Sequence, residues 1–248
     1  QQITKMIKEN DETSKDIKDK VGEIISQANQ VLCAKFKGKD IKKFTKHDIK
    51  EWLERKTPSI VEQLAVILRV FDLRAKLKLR YSQIISILMF WHSQNGALLQ
   101  VATGEGKTFI GVAFAILKFF KHEKIHIVTS SRVLAERDAA DETNLKVFEV
   151  FGIKVGHNCD EDIDKRRQIY LKCDVVYGIL NNFQRDYLQT RFYNQNLLDD
   201  DHFENVMVDE VDSLLLDKGN NILYLSQDLP GIDELDKVFI FIWQFVIQ

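Results

Sequence analysis

The chain has 248 residues, of which 45% are hydrophobic, and 35 Lys and Arg residues nearly balance 37 Asp and Glu residues, leaving a net charge of −2. This length and composition allow one large core, alone or with a small helical appendage. The near-neutral balance argues against the strongly basic surface that is typical of nucleic-acid-binding proteins.

The cysteines and the hydropathy pattern favour a reducing compartment. Cys33, Cys159 and Cys173 are odd in number and widely spaced, which favours reduced thiols over a disulfide framework or a zinc site. None of the six histidines shows metal-ligand spacing. No apolar run approaches the roughly 20 residues that span a bilayer. We therefore predict a cytoplasmic protein, with peripheral contact to a membrane left open, and the start at Gln1 favours a piece of a longer chain.

Residues 1–79 are predicted to form a helical region, because their apolar positions recur with helical spacing. The basic stretch at residues 35–43 is predicted to be a loop between helices. Ser59 followed by Glu62 forms a capping-box pattern, which predicts a long helix that ends near Leu77.

Residues 80–217 change pattern: short β-rich runs alternate with helical stretches, which is typical of βαβ units. Strands are predicted at residues 97–101, 125–129, 153–156, 174–177 and 205–208, and helices at 82–91 and from Thr108, Leu134 and Lys165. We therefore predict an α/β fold, with a mainly parallel sheet flanked by helices and an N-terminal helical layer.

Residues 218–248 form a divergent C-terminal segment, which we take as the start of a further region. Turns are predicted at residues 219–221 and 230–231. The apolar run at residues 238–247 is too short to span a bilayer and is predicted to be a packing or docking helix.

A glycine-rich loop lies between the first predicted strand of the sheet and the helix at Thr108. It consists of Thr103, Gly104, Glu105, Gly106, Lys107 and Thr108. Glycines let the backbone turn tightly and point N–H groups at phosphate oxygens, and a helix N-terminus favours anions. Lys107 would neutralise the β- and γ-phosphates, and Thr108 would present its hydroxyl to Mg²⁺. The strict pattern has glycine where this chain has Val101.

An acidic pair follows the last predicted strand of the sheet. Asp209 is predicted to hold Mg²⁺, mostly through water, and Glu210 to orient and polarise the attacking water. Such a pair can instead cap the next helix. Because the loop and the pair are expected at the same sheet edge, together they indicate a RecA-like P-loop NTPase that uses ATP and Mg²⁺.

Four segments, in the right order, resemble the SecA family of protein-translocase ATPases. They are TGEGKT at 103–108, LAERDA at 134–139, DVVYG at 174–178 and VDEVDS at 208–213. Glu136 stands where the family has glutamine. The resemblance implies the first, DEAD-type nucleotide-binding domain of a motor that acts on a polypeptide substrate, with contact to a membrane or translocon left open.

Gln83 lies where the resemblance places the glutamine that recognises adenine. A glutamine amide can donate to one adenine nitrogen and accept from the exocyclic amine. The alternative is an exposed glutamine at the start of a helix.

Two departures narrow what the resemblance implies. After Ser213 the family continues into a segment rich in Ala, Arg, Thr and Pro, whereas this chain continues with LLLDKGNN, so a standard polypeptide clamp is in doubt. The second RecA-like domain, which would supply an arginine at the ATP cleft, is expected outside these 248 residues, and slow turnover is expected without it. Two alternatives stay open: a nucleic-acid helicase-like ATPase and a low-turnover nucleotide-binding scaffold.

Overall fold

The computed structural model describes residues 11–55, 58–93, 96–193, 195–198, 203–217 and 232–246. Its α-helices are α1 (Asp11–Leu32), α2 (Lys46–Leu53), α3 (Ile60–Val70), α4 (Tyr81–His92), α5 (Lys107–Phe119), α6 (Arg132–Ala139), α7 (Glu142–Phe151), α8 (Ile163–Lys172), α9 (Leu180–Tyr193) and α10 (Ile232–Val246). Its strands are β1 (Lys35–Phe36), β2 (Lys39–Asp40), β3 (Ile125–Thr129), β4 (Val155–His157), β5 (Val175–Ile179) and β6 (Val206–Val208). A 3₁₀ turn lies at Ile41–Lys43, and π-helical turns lie at Phe71–Ala75 and Ser213–Asp217.

A four-stranded parallel sheet, in the order β4-β5-β3-β6, lies at the centre of the fold. All five residues of β3 are buried, as expected for a parallel strand that is covered on both faces. The predicted α/β fold is confirmed, and the four strands of the sheet match four of the five predicted runs. Because the strands are parallel, their carboxyl ends share one edge of the sheet, where ligands of open α/β sheets bind.

The predicted N-terminal helical layer packs against this sheet through α5. Leu64, Val66 and Ile67 of α3 are fully buried, and α3 contacts both α1 and α5. The Trp52 ring of α2 meets Phe120 edge-on, with the ring centroids 5.8 Å apart. One continuous core therefore joins the helical layer to the sheet. The division of the chain at residues 79 and 217 stays a prediction.

The start of α3 follows the capping prediction, and the helical backbone ends close to the predicted Leu77. Ser59 Oγ accepts a hydrogen bond from the Glu62 amide at 3.3 Å, whereas the Glu62 carboxylate pairs with Arg55 at 2.6 Å. The last turn, Phe71–Ala75, is π-helical, and Lys76 then adopts a left-handed φ of 59°, which a helix cannot continue through.

Two predicted segments differ from the structure. The strand predicted at residues 97–101 is wrong: the segment forms no ladder with the described strands, and Leu98 is 80% exposed. The segment and β6 instead line one cavity of about 490 Å³. The loop predicted at residues 35–43 instead contains the hairpin of β1 and β2, in which Gly38 has a φ of 78°.

The apolar run near the C-terminus forms α10, as predicted for its residues up to 246. Large side chains of this helix are exposed, among them Phe239 at 62% and Trp243 at 66%. Within the described ranges, no helix is both long and apolar enough to cross a membrane. The turns predicted at residues 219–221 and 230–231 lie outside the described residues.

Candidate nucleotide-binding site

The glycine-rich loop enters α5 through two left-handed residues. Gly104 has a φ of 80° and Gly106 a φ of 76°, and Gly106 is the N-cap of α5. L-residues with a side chain rarely adopt this backbone, which explains both glycines. The loop therefore ends at a helix N-terminus, where backbone N–H groups and the helix dipole favour a bound anion. Thr103 is exposed at the start of the loop, and Lys107 and Thr108 form the first turn of the helix.

Gln83 holds the phosphate loop against α4. Its side chain is buried, and Nε2 donates to the carbonyl oxygens of Glu105 at 2.8 Å and Gly106 at 3.2 Å. Its Oε1 accepts from the Arg80 amide at 2.7 Å. The Arg80 guanidinium also pairs with the Glu105 carboxylate. Gln83 is thus buried rather than exposed, and its Oε1 caps the start of α4. Its role in recognising adenine stays a prediction.

Close packing makes Gly106 necessary for a second reason. A Cβ atom at this position would lie only 2.6 Å from Gln83 Nε2, closer than such atoms approach each other in proteins. At Gly104 a Cβ would meet nothing within 4 Å. The loop is therefore open to solvent at Gly104 and tightly packed at Gly106.

The acidic pair lies at the carboxyl edge of the sheet. The Asp209 amide donates to the Val128 carbonyl at 2.9 Å, which continues the pairing of β6 with β3 by one residue. Asp209 Oδ1 accepts from the Glu210 amide at 3.0 Å. Glu210 itself has a left-handed φ of 57°, a strained backbone for a residue with a side chain. Such outliers concentrate at active sites, where the surrounding structure holds them.

Ser130 is a site residue that the sequence analysis missed. Its Oγ donates to Glu210 Oε2 at 2.7 Å and thereby orients the carboxylate. Ser130 directly follows β3, the strand next to β6. The rule that parallel strands end at one edge of the sheet could have identified it, because Ser130 and Asp209 are the first residues after adjacent strands.

The predicted site residues surround the loop in three adjoining cavities. Lys107, Asp209 and Glu210 line the cavity of about 490 Å³. Thr108 lines a neighbouring cavity of about 360 Å³, together with Gly106, Arg137 and Asp138. Gln83, Gly104, Glu105 and Gly106 line the third, of about 150 Å³. The structure thus brings Lys107 to the acidic pair and places Thr108 on the adjoining side of the same helix turn.

The electrostatics of the acidic pair suit a bound cation. Burial raises the pKa of Asp209 above its usual range, the negative charge of Glu210 raises it further, and Lys107 opposes both effects. A divalent cation at this edge would stabilise the ionised form of Asp209. Together with the left-handed loop at the helix N-terminus, this donor set fits a nucleotide with Mg²⁺.

Comparison with known proteins identifies the family. The model of the SecA DEAD-like domain matches residues 2–242. Similar proteins are the protein translocase subunits SecA of Campylobacter hominis, 37% identical over 136 residues, and of Treponema denticola, 37% identical over 151 residues. These alignments cover 53% and 58% of this chain and 15% and 16% of the two relatives, so the chain spans less than a fifth of their length. The chain belongs to the SecA DEAD-like domain family.

Proposed function

We propose that this chain is the ATP-binding domain of a SecA-like motor, which couples ATP hydrolysis to the translocation or remodelling of polypeptides. The main support for this proposal is that Lys107, Asp209 and Glu210 line one cavity, beside a loop with the backbone of a phosphate cradle. This arrangement supplies a cation for phosphate, a ligand for Mg²⁺ and a carboxylate for water, which are the parts that phosphoryl transfer needs.

The residues divide these tasks by position. Amides of the loop at residues 103–108 would bind the phosphates, and Lys107 would neutralise the charge that develops on them. Thr108 and Asp209 would hold Mg²⁺, which would supply Lewis-acid stabilisation of the charge on the transferred phosphoryl group. Gln83, beside the loop, would recognise adenine after exchanging its bonds to the loop for bonds to the base.

Glu210 would orient the attacking water and accept its proton. A general base works best when a second group fixes its geometry. Ser130 provides that second group, because its hydroxyl bonds one carboxylate oxygen, and the other oxygen would take the proton of the water. Ser130 and Glu210, which follow adjacent strands, would thus act together in proton transfer.

The remaining parts of the proposal concern the whole protein. A second RecA-like domain of a longer chain would supply the arginine that stabilises the transition state. The relatives are named protein translocase subunits, which supports a polypeptide substrate. We further propose a cytoplasmic protein that contacts a membrane or translocon peripherally. The net charge of −2 disfavours a nucleic-acid substrate.

ATP affinity of the isolated chain, measured by calorimetry with Mg²⁺ present, tests the binding site. Lys107→Ala removes a charge-assisted contact worth about 1.5–3 kcal/mol, so affinity should fall about tenfold or more. Lys50→Ala, at an exposed position of α2, is the matched control and should bind as the original chain does. Unchanged affinity in Lys107→Ala would refute the proposed phosphate site.

The polypeptide substrate is tested in the full-length protein. ATP hydrolysis should rise with unfolded polypeptide and stay constant with single-stranded nucleic acid, and Glu210→Gln should abolish the rise while ATP still binds. Stimulation by nucleic acid alone would favour a helicase-like ATPase. Binding of ATP without any stimulated turnover would favour a nucleotide-binding scaffold.

A further inference from the structure

Three potential metal ligands meet on the side of the sheet that carries α6. Glu136 lies on α6, His157 ends β4, and Cys159 follows in the next loop. One ligand atom of each side chain lies within 4.8 Å of the other two. The sequence analysis found no metal-ligand spacing, because two of these residues are separated by only one position and the third comes from a distant helix.

The surroundings hold the loop that carries Cys159 in place. Asn158 is fully buried, and its Nδ2 donates to the Tyr170 hydroxyl at 2.8 Å. That hydroxyl donates to Asp186, whose carboxylate forms a buried ion pair with Arg166 at 2.9 Å. A buried, hydrogen-bonded network of this kind rigidifies the loop next to Cys159. The cysteine is therefore presented by a fixed backbone, as a pre-organised ligand requires.

The three side chains differ in their access to solvent. Cys159 is buried, whereas Glu136 and His157 are partly exposed. An ion could therefore enter from the solvent side and keep water as a fourth ligand. Zn²⁺ sites with three protein ligands and one water have this form.

The distances suit a small borderline cation after a modest adjustment. Zn²⁺ binds thiolate at about 2.3 Å and imidazole or carboxylate at about 2.0–2.2 Å, which places tetrahedral donors about 3.3–3.8 Å apart. The donors of Glu136, His157 and Cys159 must therefore converge by about 1 Å from their separations of up to 4.8 Å. Rotation of the partly exposed glutamate and histidine side chains provides this movement.

Hydrogen bonds already orient two of the ligands. Arg132 Nε donates to Glu136 Oε1 at 2.7 Å, which fixes the carboxylate and leaves its second oxygen for an ion. His157 Nδ1 faces the Cys159 amide at 3.3 Å, a long contact that a metal ion could replace. Two guanidinium groups are near: Arg132 is paired with Glu136, and Arg185 is paired with Asp186. Cys159 would release its proton on binding the ion, so that a carboxylate and a thiolate together supply two negative charges.

We propose that Glu136, His157 and Cys159 form a binding site for a borderline divalent cation of the Zn²⁺ class, separate from the Mg²⁺ site beside Lys107. The ion would fasten α6 to the loop after β4. The next residues of α6, Arg137 and Asp138, line the cavity that also contains Thr108. The bound ion would thus fix the helix that forms one wall of the nucleotide site.

Titration of the isolated chain with Co²⁺, in excess Mg²⁺, tests this proposal. Co²⁺ replaces Zn²⁺ at such sites, and a bound thiolate gives an intense near-ultraviolet charge-transfer band. We expect one equivalent of Co²⁺ to produce this band and Zn²⁺ to abolish it by displacement. A chain that shows no such band, or one that Zn²⁺ leaves unchanged, would overturn the proposal.

Variants assign the ligands. Cys159→Ser should abolish the band, while Cys33→Ser and Cys173→Ser should retain it. His157→Gln and Glu136→Gln should each weaken Zn²⁺ binding at least tenfold, whereas His122→Gln and Glu142→Gln, the matched controls, should not. Because Cys159 is buried and its variant could fold poorly, His157→Gln provides the decisive test, with circular dichroism to verify folding. Unchanged Zn²⁺ affinity in His157→Gln would refute the site.

Discussion

Replacing Gly106 by alanine should destabilise the fold more than the same change at Gly104. Both glycines are left-handed, with φ near 80°, and both substitutions share the resulting backbone strain of about 1 kcal/mol. Both also share the loss of unfolded-state entropy that alanine brings. The two variants therefore differ mainly in what the added Cβ meets: nothing at Gly104, and Gln83 Nε2 at 2.6 Å at Gly106.

The expected difference follows from the hydrogen bonds that would be lost. Displaced by the new methyl group, Gln83 would give up its bonds to the carbonyl oxygens of Glu105 and Gly106. Each such bond contributes about 0.5–1.5 kcal/mol, so Gly106→Ala should unfold about 1–3 kcal/mol more easily than Gly104→Ala. Phe109, whose ring would lie 3.1 Å from the new Cβ, can only add to this difference.

Urea unfolding, followed by tryptophan fluorescence, measures the free energies of unfolding. The same two variants are then made in a Gln83→Ala background, which removes the group that the new methyl displaces. We expect the difference between the Gly106 and Gly104 variants to shrink there, since a double-mutant cycle isolates the coupling of two groups. Equal destabilisation in the original background would show that Gln83 does not pack against the loop, and the reasoning would fail.

Three further outcomes are expected. Ser130→Ala removes the bond that orients Glu210, so ATP hydrolysis by the full-length protein should slow about threefold to tenfold. ATP affinity should stay unchanged, and an equal loss of affinity would contradict the orienting role of Ser130. Burial lowers the pKa of His126 from 6.5 to about 4, so the folded chain should lose up to about 3 kcal/mol of stability as the pH falls through this window. His126→Leu should remove that loss of stability in acid unfolding curves. If the slope of stability against pH stays unchanged, another group causes the acid destabilisation. Asp209→Asn should weaken Mg²⁺-dependent ATP binding. In thermal unfolding the metal-free variant should be at least as stable as the original chain, because burial and Glu210 disfavour the charged carboxylate. A lower unfolding midpoint for the variant would contradict this electrostatic strain at Asp209.

Local sequence patterns predicted the parts of the site that depend on neighbouring residues. The phosphate loop requires glycines at left-handed positions and a helix directly after it, and both requirements are visible in six consecutive residues. The strands β3 and β5 could be predicted because their residues are mostly β-branched or apolar, over the length that a covered parallel strand needs. The acidic pair could be predicted from its place after β6.

Contacts between distant segments could not be predicted in the same way. Residues 97–101 have the apolar composition of a strand, but strand formation also requires hydrogen bonds to a partner backbone, and the segment forms no ladder with the described strands. At Lys35–Asp40 the error is the reverse, a strand pair where a loop was predicted. The lysine-rich composition indicates a loop, but Gly38 permits a tight turn and the segment forms a hairpin. The meeting of Glu136 with His157 likewise depends on how α6 lies on the sheet.

The left-handed backbone at Glu210 has a consequence for engineering this domain. Glycine adopts such a φ freely, so Glu210→Gly would relieve strain of about 1 kcal/mol, but it would also lose the hydrogen bond from Ser130 and give the unfolded chain more freedom. Because these terms are of similar size, a screen that scores only thermostability would not protect the carboxylate proposed to activate water. Stabilising the domain without inactivating it therefore requires leaving position 210 unchanged and seeking gains elsewhere.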